Sequence, residues 1–251
     1  MSAMEYLTEG IKLIEKIQET QMDKIRAAGK LFADSILAGR AVHLFGSGHS
    51  VIPVMDIFPR YGSYVGFHPI MDPRLMWSNI VGPVGARELL WLEREPGYIM
   101  NVVLSHHLDR RDTLLVFSHG GMNAAPIEMA LEGKAQGLKV VAIACAENRR
   151  LNQPTHPSGK SLHDIADILI DNCSPAEDAL VSIAGLEGKV AASSTLTVVA
   201  ISMALVAETA AEMARRGQPP GQVFVSPNVA NVPKTNNAQV FEAYQAFEHG
   251  L

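Results

Sequence analysis

Several things are scarce in this chain, and each scarcity excludes a class of protein. Two cysteines in 251 residues, Cys145 and Cys173, lie too far apart in sequence to suggest a disulfide framework or a Cys-based zinc site. They read as reduced, buried thiols. Charged residues make up only 19% of the chain, and the net charge is -5 with a pI near 6.0. That balance lacks the clustered Lys and Arg that a nucleic-acid or anionic-membrane surface requires. Aromatic residues are also sparse, at 6%. No apolar run approaches the length of a membrane span, and residues 1–9 carry acids instead of an apolar signal core. The expectation is a soluble cytoplasmic protein. With 47% apolar residues, it can bury a full core as one domain, or one domain with an appendage.

What the chain does have is concentrated at Ala41-Val-His-Leu-Phe-Gly-Ser-Gly-His-Ser50. The run Val42–Phe45 reads as a buried strand that stops at two glycines, two serines and a histidine. Glycine lets the backbone turn sharply and approach a ligand, while hydroxyls and free N–H groups face the turn. A helix beginning there adds donors and a dipole that favours an anion. Such a turn can hold a phosphate without spare positive charge.

Residues 4–39 carry Leu7, Ile11, Ile14, Ile17, Met22, Ile25, Phe32 and Ile36 at roughly helical spacing, which predicts one helix stopped by Gly39. Strands then alternate with helices. Val51–Phe58 reads as a helix, Tyr64–Ile70 as a short strand, and Glu88–His106 as mostly helical with an interruption at Pro96-Gly97. Leu114–Phe117 is a strand followed by a helix through Pro126–Gln136. Lys139–Ala144 is the next strand, closed by a polar loop over Ala146–Lys160. Ile165–Ile170 is another strand, and Ser193–Arg216 is a long helix. The tail Gln218–Asn237 reads as an ordered wrap before a last helix at Gln239–His249. Apolar strands between helices of this length imply a parallel sheet covered on both faces.

A second strand ends in the same way, at Phe117-Ser-His-Gly-Gly-Met-Asn123, with Asn123 placed to cap the following helix. In parallel α/β sheets, ligands sit beyond the carboxyl ends of strands where neighbouring crossovers diverge, so turns 46–50 and 118–123 should converge. A dinucleotide reading of Gly46-x-Gly48 is disfavoured, because Val51 replaces the third glycine and no acidic residue closes the next strand-like run. P-loop and α/β-hydrolase motifs are absent.

The two turns, the helix opening Ala191-Ala-Ser-Ser-Thr195 and the stretch Ser158–Asn172 resemble the sugar isomerase (SIS) domain over roughly residues 5–245. Within that superfamily the chain is most similar to bacterial proteins related to phosphoheptose isomerase. The resemblance implies a three-layer αβα sandwich with a five-stranded parallel sheet. It implies an N-terminal helical oligomerisation segment over 1–39, a phosphosugar-binding domain over 40–251, and a homodimer or homotetramer. It places Ser118, His119, Gly120, Gly121 and Asn123 at the phosphate, with Ser47, Gly48 and Ser50 beside it. Ser193, Ser194 and Thr195 present hydroxyls at a helix start, where plain capping is the alternative.

The chain departs from the family pattern in three places. Gly120 stands where a second serine is usual, Asn123 stands for Ser or Thr, and Lys234-Thr-Asn-Asn237 replaces a segment that commonly carries a histidine. Each lost net hydrogen bond should weaken phosphate binding by roughly 1 kcal/mol. His119, if protonated, could supply a donor; otherwise it is merely solvated.

Aldose–ketose isomerisation needs a base to move a proton between adjacent carbons through an enediol, and an acid to shuttle protons between oxygens. By resemblance the base is Asp56, one methylene shorter than the family's glutamate, with a helix-surface aspartate as the plain alternative. Glu93 is the next carboxylate, reaching a neighbouring subunit's site or pairing with Arg94. His49 is the shuttling acid, or a buried structural histidine. No cofactor is expected. The nine histidines show no metal-ligand spacing, and His106-His107 point apart on a helix, so no metal is assigned. Two further readings are a non-catalytic phosphosugar-binding regulatory module and a sugar-phosphate lyase or etherase. No helix-turn-helix segment precedes residue 40.

Overall fold

The computed structural model describes residues 2–228 and 230–251; Met1 of the N-terminal segment and Val229 of the tail lie outside it. The elements in chain order begin with α1 (Ser2–Thr20), α2 (Met22–Leu37), β1 (Val42–Gly46), α3 (Val51–Ile57) and β2 (Phe67–Ile70). Next come α4 (Ala86–Leu92), α5 (Met100–Val103), β3 (Thr113–Phe117), α6 (Ala124–Ala135) and β4 (Lys139–Ala144). The chain closes with α7 (Ala146–Leu151), α8 (Leu162–Ile165), β5 (Ile168–Asp171), α9 (Ser194–Arg215) and α10 (Asn236–His249). The strands form one five-stranded sheet in the order β2-β1-β3-β4-β5, all parallel. Helices cover both faces, giving the three-layer sandwich.

Strand periodicity divides the core in two. Leu44, Leu115, Phe117, Val141 and Ile143 face α2, α3 and α9, where they meet Ile25, Phe32, Ile57, Ile201 and Leu205. Their neighbours Phe45, Leu114, Val116, Val140 and Ala142 face the other layer, against Leu89, Ile99, Ile127 and Met129. Both faces are dry, so these strands read as continuous apolar runs.

Several details differ from the sequence reading: the strand expected over Tyr64–Ile70 is only Phe67–Ile70, and the helical stretch over Glu88–His106 is two short helices, α4 and α5. The helix over 4–39 is two helices, broken at Gln21, whose side-chain Oε1 accepts from the Asp171 N–H at 3.0 Å and ties the break to β5. The strand placed at Ile165–Ile170 starts only at Ile168; residues 162–165 are a helical turn whose Asp164 carboxylate accepts from both Ser161 N–H and Ser161 Oγ–H. The loop 146–160 opens with a helix, capped by Cys145 Sγ accepting from Asn148 N–H. Finally, α9 is long and apolar enough, by length and composition, to pass as a membrane span. Here it is a core helix instead. It packs on α2, α3 and α1, and its Ser202 and Thr209 hydroxyls donate to the carbonyls of Val198 and Leu205 one turn back.

The amino ends of β1 and β3 are clamped by a buried polar cluster. Asp112 accepts from Arg40 Nε (2.9 Å) and Nη2 (3.1 Å), from Ala41 N–H (3.1 Å) and from Asp109 N–H (2.7 Å), and sits 3.1 Å from His43 Nε2. Burial would raise this carboxyl, but the bonds from His43 and Arg40 prevail and hold it down at about 2. The clamp fixes a register in which Gly46 lies opposite Phe117, so Ser47 and Ser118 leave the sheet side by side. The tail returns beside the end of α3, with Phe224 exchanging backbone hydrogen bonds with Gly62 and Ser63.

Candidate functional site

β1 stands between β2 and β3, so the chain leaves β1 toward one side of the sheet and leaves β3 toward the other. That divergence opens a crevice at the carboxyl edge, as the fold rule requires. A cavity of about 410 Å³ occupies it, within the size range on the order of 300–1,000 Å³ of small-molecule sites. Turns 46–50 and 118–123 both line it, as does the start of α9.

The first turn is shaped by glycine. A Cβ on Gly46 would sit 2.2 Å from the Ser50 carbonyl oxygen, so no larger residue fits while residues 48–50 make their tight helical turn. Gly48 takes φ +59, in the left-handed region. Gly48, His49 and Ser50 line the cavity with Ser47, whose hydroxyl points to a carboxylate. His49 is exposed, with its ring centroid 4.3 Å from that of Trp77.

In the second turn, Ser118 Oγ accepts from Gly121 N–H at 3.1 Å, leaving its own proton free to donate. The N–H groups of His119 and Gly120 have no acceptor among the described residues. His119 is neither merely solvated nor a free donor. Asn172 Oδ1 accepts from Ser174 N–H, which turns Asn172 Nδ2 toward His119 Nδ1 (3.1 Å) and leaves Nε2–H directed at the Ala176 carbonyl (3.3 Å). Gly120 lines the cavity in open space, where a side chain would first meet Asn148 at 3.8 Å. Gly121 turns away, its carbonyl accepting from Leu162 N–H.

Glu93 joins the two turns. It follows α4, is 6% exposed, and accepts from Ser47 Oγ at 2.7 Å and from Asn123 Nδ2 at 2.9 Å. Asn123 stands at the α6 N-cap, but its side chain caps nothing and serves Glu93 instead. Burial pushes the Glu93 carboxyl up, against the opposing pull of Ser47 and Arg94. The Arg94 guanidinium is 3.8 Å away and mostly exposed. Glu93 lines the cavity of its own chain, so the contact with a neighbouring subunit's site is not needed to bring it to a ligand.

Asp56 lies elsewhere. It is on α3, one turn past the cavity-lining Pro53, paired with Arg60 at 2.5 Å, and it does not line the cavity. Its Oδ1 is committed to Arg60 one turn along, while its Oδ2 is buried without a hydrogen-bond partner among the described residues. Ser193 is fully buried and also stays out of the cavity, whereas Ser194 and Thr195 line it. Both serines are held by a residue the sequence reading missed, Asp178. Its Oδ1 accepts from Ser193 N–H (3.0 Å), Ser193 Oγ (3.2 Å) and Ser194 N–H (2.7 Å), and its Oδ2 from Ser194 Oγ at 2.6 Å. The only hint in the sequence is an acidic pair, Glu177-Asp178, soon after a strand end. Trp77 joins the wall from a segment without clear periodicity, and Leu89 and Leu90 join it from α4. The cavity lining contains two carboxylates and no Lys or Arg. Among the described residues no group of three His, Cys, Asp or Glu is arranged to hold a metal ion.

Comparison with known proteins agrees with this architecture. A family model described as the SIS domain matches residues 5–145. UPF0309 protein TTE0306 of Caldanaerobacter subterraneus is 33% identical over 244 residues, covering 96% of each chain. UPF0309 protein Teth39_1980 of Thermoanaerobacter pseudethanolicus is 35% identical over 246 residues, covering 96% of this chain and 97% of its own. Among solved structures, phosphoheptose isomerase GmhA from Neisseria gonorrhoeae shares the fold at a TM-score of 0.50 and 12% identity. That alignment covers 80% of this chain and 92% of the other. With its family model matched over more than half of its length and its sheet in the order 2-1-3-4-5, the chain belongs to the SIS-domain family.

Proposed function

We propose that the chain binds a sugar phosphate and interconverts its aldose and ketose forms, with Glu93 as the base. The observation that carries this reading is Glu93 itself, a buried carboxylate on the cavity wall, hydrogen-bonded to both Gly/Ser turns. The phosphate sits on turn 118–123, where the N–H groups of His119 and Gly120 have no acceptor among the described residues and the Ser118 hydroxyl keeps a proton to donate. Each Glu93 oxygen accepts one hydrogen bond and keeps a lone pair. One of them takes the proton from the carbon beside the carbonyl as the carbonyl oxygen gains a proton, giving the enediol. Return of the proton to the neighbouring carbon completes the transfer. Burial raises the basicity of Glu93, which suits it to this work near neutral pH. His49, at the mouth beside Trp77, moves protons between the two oxygens. The assignment favours Glu93 over Asp56, which lies outside the cavity.

The test has two arms. Sugar phosphates should raise the melting temperature where the matched free sugars do not. Glu93→Gln should then abolish isomerisation and keep that stabilisation, while Asp56→Asn should retain activity. A second reading, a non-catalytic binding module, rests on the same carboxylate: with both oxygens engaged, Glu93 also serves as a strut between the turns. Binding without turnover across heptose, hexose and amino-sugar phosphates would select it. An oligomer is part of the proposal, because Met4, Leu7 and Ile11 form an exposed apolar row on α1. Size-exclusion chromatography with light scattering checks it.

A further inference from the structure

We infer that Asp178 is a specificity residue that restricts the cavity to ligands with a single anionic group, so that sugar bisphosphates and carboxylated sugar phosphates are refused. The inference rests on the phosphosugar reading and deepens it.

Two helices of eight residues or more begin at this cavity, α6 and α9. A helix N-terminus attracts anions through unpaired N–H groups and its dipole. At α6 the cap side chain is turned away to Glu93, whose backbone carbonyl accepts from Ala125 N–H, and the N–H groups of His119 and Gly120, two residues that line the cavity, have no acceptor among the described residues. At α9 the situation is the reverse. The Asp178 carboxylate already occupies the place an incoming anion would take, receiving two backbone N–H groups and both serine hydroxyls. Those bonds outweigh its burial and hold its carboxyl below the usual range, so it is ionised at neutral pH. Its backbone takes φ +52, a conformation a non-glycine residue adopts rarely.

The consequence is electrostatic. A second phosphate or a carboxylate entering the cavity meets Asp178, which no Lys or Arg of the lining offsets, and Glu93, whose one cation, Arg94, is mostly exposed and outside the lining. Like charges held in a cavity repel strongly, because water screens them poorly. Neutral hydroxyls meet no such penalty, and carboxylate oxygens accept from them. The ligand class is therefore a neutral sugar bearing one phosphate, which excludes aldonates, uronates and acid-bearing sugar ethers.

The experiment measures dissociation constants by calorimetry for inorganic phosphate, fructose 6-phosphate, sedoheptulose 7-phosphate, fructose 1,6-bisphosphate and 6-phosphogluconate. The wild-type protein should bind at least one neutral monophosphate tenfold or more tighter than the bisphosphate and the aldonate. Asp178→Asn keeps an acceptor for the α9 N–H groups and removes the charge, and should narrow that ratio at least fivefold. Bisphosphate or aldonate binding within twofold of the monophosphates overturns the inference while leaving the phosphosugar reading intact, and so does an unchanged ratio in a folded variant. No binding of any phosphate-bearing probe overturns both. Should Asp178→Asn fail to fold, Asp178→Ser is measured in its place, and an unchanged ratio there overturns the assignment equally.

Discussion

Replacing Asp112 by Asn should be among the costliest single changes outside the cavity. The carboxylate is 1% exposed and receives hydrogen bonds from Arg40, Ala41 and Asp109, with His43 at 3.1 Å. Its depression from 3.8 to about 2 corresponds to roughly 2 kcal/mol of stabilisation. An amide offers one acceptor oxygen where two were in use, and it leaves the Arg40 guanidinium, itself 7% exposed, without its countercharge. Breaking a buried pair in this way costs about 3–5 kcal/mol. For a chain of this size that is a fall in Tm of about 10 °C. Thermal unfolding followed by circular dichroism at pH 7 measures it. The folded-state pKa lies below the unfolded one, so the carboxylate's contribution is complete above pH ~4 and is lost as pH falls toward 2. The gap between wild type and variant should therefore close over that window. A difference in Tm below 2 °C at pH 7, or a gap that does not shrink in acid, refutes the account of the clamp.

Other outcomes follow from the same physics. His68 is held at about 4 by burial, helped by its neighbours His43 and His106. The folded protein therefore loses stability as pH falls from 6.5 toward 4, and His68→Gln should flatten that part of a stability–pH curve from urea titrations. Gly46→Ala forces its new methyl against the Ser50 carbonyl. It should abolish phosphate-dependent stabilisation in a thermal shift assay while leaving the far-ultraviolet circular dichroism largely intact. Ser118→Ala removes one hydroxyl donor and should weaken sugar-phosphate binding by about 1 kcal/mol, or roughly fivefold, by calorimetry.

The middle of the sheet was legible because β1, β3 and β4 are dry on both faces, whereas the edge strands β2 and β5 are only partly buried and start three residues later than the sequence reading places them. Lys139–Ala144 was read to the residue, and Thr113–Phe117 to within one. The two turns were legible for a related reason, since glycine and serine directly after an apolar run serve neither core nor helix. Where the sequence reading failed, a long-range contact decided the outcome. No glycine or proline marks the break at Gln21, where the Thr20 hydroxyl donates to the Lys16 carbonyl and the Gln21 side chain accepts from Asp171 N–H, 150 residues away. The carboxylate on the cavity wall is hard to place from sequence for a similar reason. Asp56 follows the first turn closely in sequence, whereas Glu93 reaches that turn only because α4 folds back over it. Asp178 gives little signal in the sequence because its partners Ser193 and Ser194 lie 15 and 16 residues further on.

The pairing of α2 with α9 has a consequence for how the molecule is made. One layer of the interior consists of a helix from the first forty residues set against one that begins at Ser194. During synthesis Ile25, Ala28 and Phe32 emerge early and have no lasting cover until most of the chain has left the ribosome. The nascent protein thus carries an uncovered greasy strip for most of its birth, and truncations ending before residue 194 should aggregate or be held by chaperones rather than fold.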